Sequence, residues 1–516
     1  MPEPKQWIEI IGGLVALLVL VWRPLRGLYL TLLLLQVQRI DFSLAMAIGS
    51  MRPAELVASA SLAMLVIGRF GIIWPSWKTG RMMWVWIGLF VAAMWASSFA
   101  SRSIGNYSLH YIDVRTPARM QPFIASYTAI LVYLFGMSAF FLVSQLVQSR
   151  ARLRAVLRWW VIGAALASAV AMYGGIAYQF HLPFGDVLSP LGRTGLNDGV
   201  SIGVLPRLRG LAQEPRMLAV YLTAVLPFVL LATIRKVYVL PRLWQRLCLL
   251  LIGLGFVGTF SRATLLAAVC IAVLFAVVPV IARCRHVRVA RSVVVALVLV
   301  VGLGVLSDTV LRRVFNVAGI GAAVQSQVES LTVDDSSTVT WPQQQRMAWH
   351  MFLDHPILGI GLGNFTFFVD RYSEMNAEEY ARGYHYIANT DSIYTSVLAE
   401  MGLLGFFTFI GLVTYPAWVV IRDARHVDRE DQIILVGLVT GYVAVLMVYA
   451  AQGLFFFAHV WAAMGILYSA WRVTIRLKRA TPDTIGTTPF ATSASASTAE
   501  TRPMLSLSTT KHRAIQ

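Results

Sequence analysis

The sequence predicts an all-α, polytopic integral membrane protein, and its composition is the first reason. Of its 516 residues, 57% are hydrophobic and only 13% are charged, with a mean hydropathy of +0.67. Soluble domains are about half apolar and about a quarter charged. A soluble core could not bury so much apolar surface, whereas a bilayer accepts it. We expect one membrane domain over residues 1–475 and a disordered cytoplasmic tail over 476–516, which is rich in Thr, Ser, Ala and Pro.

The second reason is a series of apolar runs that are long enough to cross a bilayer, which takes about 20 helical residues. The region 8–38 is ambiguous because Arg23, Pro24 and Arg26 divide it, so we predict 12 or 13 transmembrane helices. It lacks a small-residue cleavage site, so we expect no cleaved signal peptide. The other runs are 54–74, 83–101, 122–147, 156–179, 216–234, 244–260, 263–282, 291–306, 396–421, 433–451 and 454–472.

The distribution of basic residues predicts the orientation. The net charge is +18, and arginines cluster in short loops at 150–158, 235–246, 283–291 and 422–429. Counting spans places all four loops on one side, which the positive-inside rule makes cytoplasmic. This pattern explains the basic composition better than nucleic-acid binding does, and we expect no nucleic-acid partner. The opposite side receives segments 102–121 and 180–215 and a large loop at 307–395.

Cysteine usage and acidic residues indicate neither disulfides nor a metal. Cys248, Cys270 and Cys284 lie in apolar runs or a basic loop, away from the predicted outer loops. No spacing matches a metal site, so we expect no metal and no cofactor.

Two segments place arginine on the predicted outer side, where the positive-inside rule disfavours it. In the first, Arg207, Arg209 and Arg216 flank Glu214 at the mouth of a span. Guanidinium groups bind phosphate in bidentate fashion, although an interfacial anchor with an internal Arg–Glu pair would also explain them. In the second, Arg262 lies between two apolar runs, as a functional residue or as a snorkelling arginine at a helix end.

Two further segments are polar and glycine-rich. The third begins at Arg346 and continues into Gly359, Gly361 and Gly363, where glycine permits positive φ and close backbone approach. The fourth begins at Asn389 and Asp391, just before an apolar span, so Asp391 could be a plain helix N-cap. His385 lies six residues before Asp391, and His459, in the last span, is more simply a partner in a helix–helix hydrogen bond.

Taken in order, these segments resemble the O-antigen ligase and polymerase superfamily of bacterial membrane glycosyltransferases. The resemblance spans roughly residues 205–410 and includes the long outer loop. The matching pieces are RLRGLAQEPRMLAVYLTAVLP, GTFSRATLLAAV, QQRMAWHMFLDHPILGIGLGNF and TDSIYTSVLAEMGLLGF. It implies a metal-independent enzyme in the bacterial inner membrane. The enzyme transfers undecaprenyl-diphosphate-linked glycans to an acceptor glycan or to the lipid A core on the periplasmic face.

The resemblance also implies roles for residues. Arg262 and Arg346 would help hold the lipid diphosphate, and the polar position that opens the fourth segment would lie by the acceptor hydroxyl. Family ligases usually have a His-Asn pair there, but this chain has Asp391 and Ser392. We therefore favour an exopolysaccharide or O-antigen polymerase over a lipid A core ligase, with Asp391 as the base or His385 as its substitute.

The expected partners are membrane lipid, the lipid-linked oligosaccharide and, for a polymerase, polysaccharide export and chain-length proteins. Arg207, Arg209, Glu214, Arg216, His385 and Asn389 form the expected substrate-binding set. Two other classes stay open at this point. One is a flippase or transporter for a lipid-linked glycan, and the other is a non-catalytic assembly subunit.

Overall fold

The computed structural model is α-helical, apart from one short pair of strands. It describes residues 23–38, 42–43, 50–67, 81–103, 122–188, 207–259, 261–284, 336–373, 390–453 and 457–480. The strands β1 (Phe42–Ser43) and β2 (Ser50–Met51) pair antiparallel. The helices are α1 (Pro24–Leu34), α2 (Pro53–Ile67), α3 (Arg81–Ala100), α4 (Pro122–Leu146), α5 (Arg150–Gln179), α6 (Gly185–Leu188), α7 (Pro215–Ile234), α8 (Arg242–Gly258), α9 (Arg262–Ile281), α10 (Ser336–Asp354), α11 (Phe365–Tyr372), α12 (Ile393–Asp423), α13 (Arg429–Val448) and α14 (Ala458–Ala480). Short 3₁₀ turns follow α3, α12 and α13 at Ser101–Ser103, Ala424–His426 and Tyr449–Ala451.

The all-α membrane fold predicted from composition is confirmed. Seven helices in the described part of the chain are long and apolar enough to cross a membrane. They begin at residues 81, 122, 150, 215, 263, 393 and 429, and α1 and α2 are shorter apolar helices. The predicted run 291–306 and residues 8–22 lie outside the described residues. The total of 12 or 13 spans therefore stays a prediction.

Helices α7 and α13 form the centre of the bundle and are the most buried of the seven candidate spans. They pack along each other with small residues at the contact. A Cβ at Gly441 would collide with the Ala224 carbonyl, and one at Gly437 would lie 2.8 Å from the Phe228 Cα. In a bilayer, small residues permit such close backbone approach, and dispersion contacts then hold the helices together.

The arginine-rich loops meet at one end of the bundle, here called the basic end. Arg150 at the start of α5 pairs through Nη2 with Asp431 at 2.5 Å, and Arg154 pairs with Glu430 at 2.6 Å. Arg158 donates from Nε to the Val239 carbonyl at 3.0 Å. Loops before α5, α8 and α13 therefore share one end, as the charge pattern predicted. Which membrane face this end meets stays a prediction.

Candidate functional site

The four segments singled out in the sequence gather at the end of the bundle opposite the basic end. The first and second are joined by Leu208, whose N–H donates to the Gly258 carbonyl at 2.9 Å. The third and fourth are joined by Gln345, whose side-chain amide donates to the Thr390 carbonyl at 2.5 Å. Although they are far apart in sequence, they form one polar surface, here called the site end.

An arginine held between two carboxylates lies at the centre of the site end. Arg216, in the first turn of α7, donates from Nε to the carboxylate of Glu214 and from Nη1 to Oδ1 of Asp391 at 3.2 Å. The three side chains are 31%, 36% and 32% exposed, so the group is open to solvent. This contact joins the first segment directly to the fourth.

The geometry leaves part of Arg216 available to a ligand. Nη2 of Arg216 makes no hydrogen bond to any of the described residues. A guanidinium presents five N–H donors in a fixed fork, so it can keep its carboxylate partners and still donate to a phosphate oxygen. Ion pairs this exposed stabilise a fold by less than about 1 kcal/mol each. The arrangement therefore orients Arg216 more than it stabilises the protein.

The second segment starts α9 with a hydroxyl cluster. Ser261 is the N-cap residue, and its Oγ accepts from the Thr264 N–H at 3.2 Å. Thr259 and Thr264 share a hydrogen bond at 2.5 Å, and Arg207 donates to the Thr259 carbonyl at 3.4 Å. Arg262 is the first residue of α9, at the site end as expected, and its side chain lies outside the described part. A helix N-terminus favours anions, which is compatible with the diphosphate role expected of Arg262.

The glycines of the third segment adopt positive φ angles, which glycine permits. Gly359, Gly361 and Gly363 have φ of 68°, 101° and 77°. Their loop runs beside the first turns of α12, and the N–H of Gly361 donates to the Glu400 carbonyl at 2.9 Å. In return, the N–H of Leu403 in α12 donates back to the loop. A main-chain ladder therefore joins the third and fourth segments.

This ladder depends on a break in α12 at Gly402. Its φ of 61° and ψ of −162° lie in a region open almost only to glycine. A Cβ at Gly402 would collide with the backbone of Ile357, and one at Gly359 would collide with the backbone of Glu400. The two glycines therefore allow two backbone segments to touch, whereas a side chain at either position would push them apart.

Asp391 is not the N-cap residue of α12, so the purely structural explanation of this carboxylate does not apply. Ser392 occupies the N-cap position of α12, and Asp391 precedes it with a φ of 48°. Its carboxylate contacts Arg216 instead. Left-handed backbone at Asp is uncommon but tolerated. Here it turns the side chain towards the arginine.

The remaining predicted site residues have different outcomes. Arg207 and Arg209 are half-buried within the site end, and Arg346 is exposed on α10 beside Gln345. His385 and Asn389 lie outside the described residues, so their roles stay predictions. In the described part of the chain, no group of three His, Cys, Asp or Glu side chains could hold a metal ion. The three cysteines are buried and unbridged there.

Sequence reasoning missed residues that organise the site without carrying charge. Gln345 holds the backbone just before Asp391, because its side-chain amide donates to the Thr390 carbonyl. Gln38, 175 residues before Gln213, accepts the Gln213 N–H of the first segment through its side-chain Oε1 at 3.3 Å. The sequence offered a signal for each residue: Gln38 follows an apolar run, and Gln345 directly precedes Arg346.

Part of the chain is similar to a known protein family and to a known protein. Residues 247–410 match the family described as O-Antigen ligase, a range that holds the second, third and fourth segments. A stretch of 141 residues is 26% identical to the teichuronic acid biosynthesis protein TuaE of Bacillus subtilis (strain 168). That match covers 26% of this chain and 27% of the relative, so the chain spans about a quarter of the relative's length. Its apolar helices indicate a multi-pass membrane protein, and residues 247–410 of that protein are similar to the O-Antigen ligase family.

Proposed function

We propose that the protein polymerises undecaprenyl-diphosphate-linked repeat units of an exopolysaccharide or O-antigen on the periplasmic face of the bacterial inner membrane. The observation that supports this most is Arg216, oriented by Glu214 and Asp391 where the family's segments meet. It combines a phosphate-binding group and a carboxylate, the two kinds of group that such a transfer needs.

In the proposed reaction the donor's lipid chain lies among the helices, and its diphosphate reaches the site end. The acceptor hydroxyl oxygen forms a bond to the anomeric carbon, and the bond from that carbon to the diphosphate oxygen breaks. Arg216, with Arg209, Arg262 and Arg346, stabilises the negative charge that develops on the departing diphosphate. Such preorganised electrostatic stabilisation is usually the largest contribution to catalysis.

Asp391 is the proposed general base that receives the proton of the acceptor hydroxyl. Its contact with Arg216 couples the two roles. When a diphosphate binds the open Nη2 of Arg216, the guanidinium shares its charge with a further anion. The attraction of the guanidinium for Asp391 then weakens, so that the carboxylate can accept the proton of the hydroxyl. Because a diphosphate is already a good leaving group, the proposed reaction requires no metal.

The second candidate is a ligase that attaches glycan to the lipid A core, and the description of the matched family favours it. The polymerase is preferred because Asp391 and Ser392 stand where family ligases usually carry His-Asn. The relative's name, for teichuronic acid biosynthesis, also fits a role in making a polymer. A polymerase would work with chain-length and export proteins.

A flippase is the less favoured class. Its substrate would cross the middle of the bundle, where α7 and α13 pack closely through apolar side chains and small residues. The singled-out arginines whose side chains are described lie at the site end instead. This one-sided placement supports chemistry at a surface over transport.

The test is complementation of a deletion strain, with lipopolysaccharide and secreted polysaccharide resolved on gels. Asp391→Asn keeps the side-chain shape and tolerates the left-handed backbone. We expect it, and Arg216→Ala, to reduce polymer formation by about 100-fold or more. Arg154→Ala removes an exposed, carboxylate-paired arginine at the basic end, and serves as the matched control that should keep polymer formation.

The glycan pattern separates the candidates. Loss of long chains or of secreted polysaccharide, with single repeats still attached, supports the polymerase. Loss of every capped form with accumulation of lipid-linked polymer would replace it with the ligase. Full polymer length with Asp391→Asn would disprove the general-base role.

A further inference from the structure

We propose that Gln38 is a positioning residue for the arginine segment, defined as residues 207–216, and that His459 holds Gln38 in the required orientation. The proposal rests on the function proposed above and extends it to two residues outside the range matched by the family. Neither residue reaches the surface, since Gln38 is 2% and His459 is 1% exposed.

Gln38 makes two hydrogen bonds to the arginine segment. Its backbone N–H donates to the Leu211 carbonyl at 3.0 Å, and its side-chain Oε1 accepts from the Gln213 N–H at 3.3 Å. Residues 207–214 lack helix and strand, so no ladder of their own fixes their path. Two bonds placed two residues apart determine both the position and the direction of the chain.

Glu214 and Arg216 follow Gln213 immediately, so the Gln38 contacts set the point from which they project. The other end of the segment is held separately. Gly210 has a φ of 59° and packs so closely on α5 that a Cβ there would lie 3.1 Å from the Ala171 Cα. Without the Gln38 side chain, the Gln213 N–H beside Glu214 would lose its acceptor while this other end stayed in place.

His459 lies against the other end of the Gln38 amide. Because Oε1 of Gln38 accepts from Gln213, its Nε2 faces Nδ1 of His459 at 3.4 Å. An amide nitrogen only donates, so in this orientation Nδ1 of His459 is the acceptor for the Gln38 amide. Phe457 stacks on the His459 ring at 5.6 Å, and Tyr221 meets it edge-on at 6.1 Å. Packing therefore fixes the orientation of the ring. The ring holds the Gln38 amide, which in turn binds the arginine segment. The sequence predicted a helix–helix hydrogen bond for His459, but its partner Gln38 follows the end of α1, so the contact joins a helix to a loop.

The test uses the purified full-length protein in nanodiscs, with undecaprenyl diphosphate as the binding probe. Gln38→Leu removes both side-chain bonds at nearly constant volume, and His459→Phe keeps the ring but removes the acceptor. We expect each to weaken probe binding by about 10-fold, and the double variant to be no weaker than either single one. His459→Asn restores an acceptor near the Nδ1 position and should bind like the unmodified protein.

Hydrogen exchange provides a readout that does not depend on the ligand. The peptide that contains residues 207–216 should exchange faster in Gln38→Leu, because its Gln213 N–H has lost its acceptor. Gln245→Leu is the matched control, since Gln245 is 0% exposed and accepts from the Val239 N–H at 2.9 Å at the basic end. It should lower the unfolding temperature without changing probe binding or exchange in the arginine segment.

The outcomes separate this proposal from the function on which it rests. The positioning role alone would be overturned if Gln38→Leu bound the probe and exchanged hydrogen like the unmodified protein, while Arg216→Ala bound the probe more weakly. If both Gln38→Leu and Arg216→Ala bound the probe as tightly as the unmodified protein, the diphosphate role of the site would be overturned, and this proposal with it. If Gln38→Leu does not fold, the His459 pair decides, and equal binding by His459→Phe and His459→Asn would overturn the role of Nδ1.

Discussion

Replacing Gly402 by alanine should disrupt the contact between the third and fourth segments. Its φ and ψ of 61° and −162° are essentially restricted to glycine, which costs another residue about 1–3 kcal/mol. The new Cβ would also collide with the Ile357 backbone, and such overpacking costs about 1–3 kcal/mol. Together these give about 2–6 kcal/mol, a large fraction of the 5–15 kcal/mol typical of a folded domain.

The assay is thermal unfolding in detergent, together with limited proteolysis of the glycine-rich loop and complementation of the deletion strain. The matched control is Gly253→Ala in α8, where an added Cβ meets no atom within 4 Å. There the helix should gain about 0.5–1 kcal/mol, because alanine is the better helix former. If Gly402→Ala unfolds at the same temperature as Gly253→Ala and restores polymer, then Gly402 does not join the two segments in the way described.

Two further predictions concern electrostatics. Asp431→Ala should cost about 1.5–3 kcal/mol, because its side chain is 7% exposed and it leaves a charge-assisted bond to Arg150 unmade. Asp428 pairs with the same arginine, but its side chain is 78% exposed, so Asp428→Ala should cost less than about 1 kcal/mol. Equal unfolding temperatures of the two variants would contradict this difference. Burial lowers the pKa of His355 below its usual 6.5, against the opposing effect of Asp354. The resulting stabilisation is complete above pH 6.5 and is lost as the pH falls through the lower folded-state pKa. His355→Gln should therefore flatten the decline of the unfolding temperature between about pH 7 and 5, and an unchanged slope would refute the assignment.

The helices were largely predictable because each is encoded locally. Ten of the eleven predicted apolar runs overlap helices in the described residues, and the eleventh lies outside them. The bilayer requires every spanning backbone group to be bonded within its own segment, so an apolar run of sufficient length is already a helix prediction. The positive φ of Gly359, Gly361 and Gly363 was equally local, since it depends on the missing Cβ.

The pairing of side chains at the site end was not predictable in this way. Sequence reasoning placed Arg216 and Asp391 on one side of the membrane, but it assigned them to separate segments with separate roles. Their contact joins positions 175 residues apart, and that between Gln38 and His459 joins positions 421 apart. Hydropathy and charge patterns report which side a loop lies on, and they contain no information on which loops meet there.

The sequence by itself determined that the chain is a helical membrane protein, that its arginine-rich loops share one end, and that its four polar segments share the other. The tertiary structure decided that Arg216 lies between Glu214 and Asp391, that Gly402 breaks α12 to admit the glycine-rich loop, and that Gln38 anchors the arginine segment. The physical reason is range. Burial in lipid and backbone hydrogen bonding act on each segment alone, whereas a hydrogen bond between distant loops exists only after packing has brought their atoms within about 3 Å.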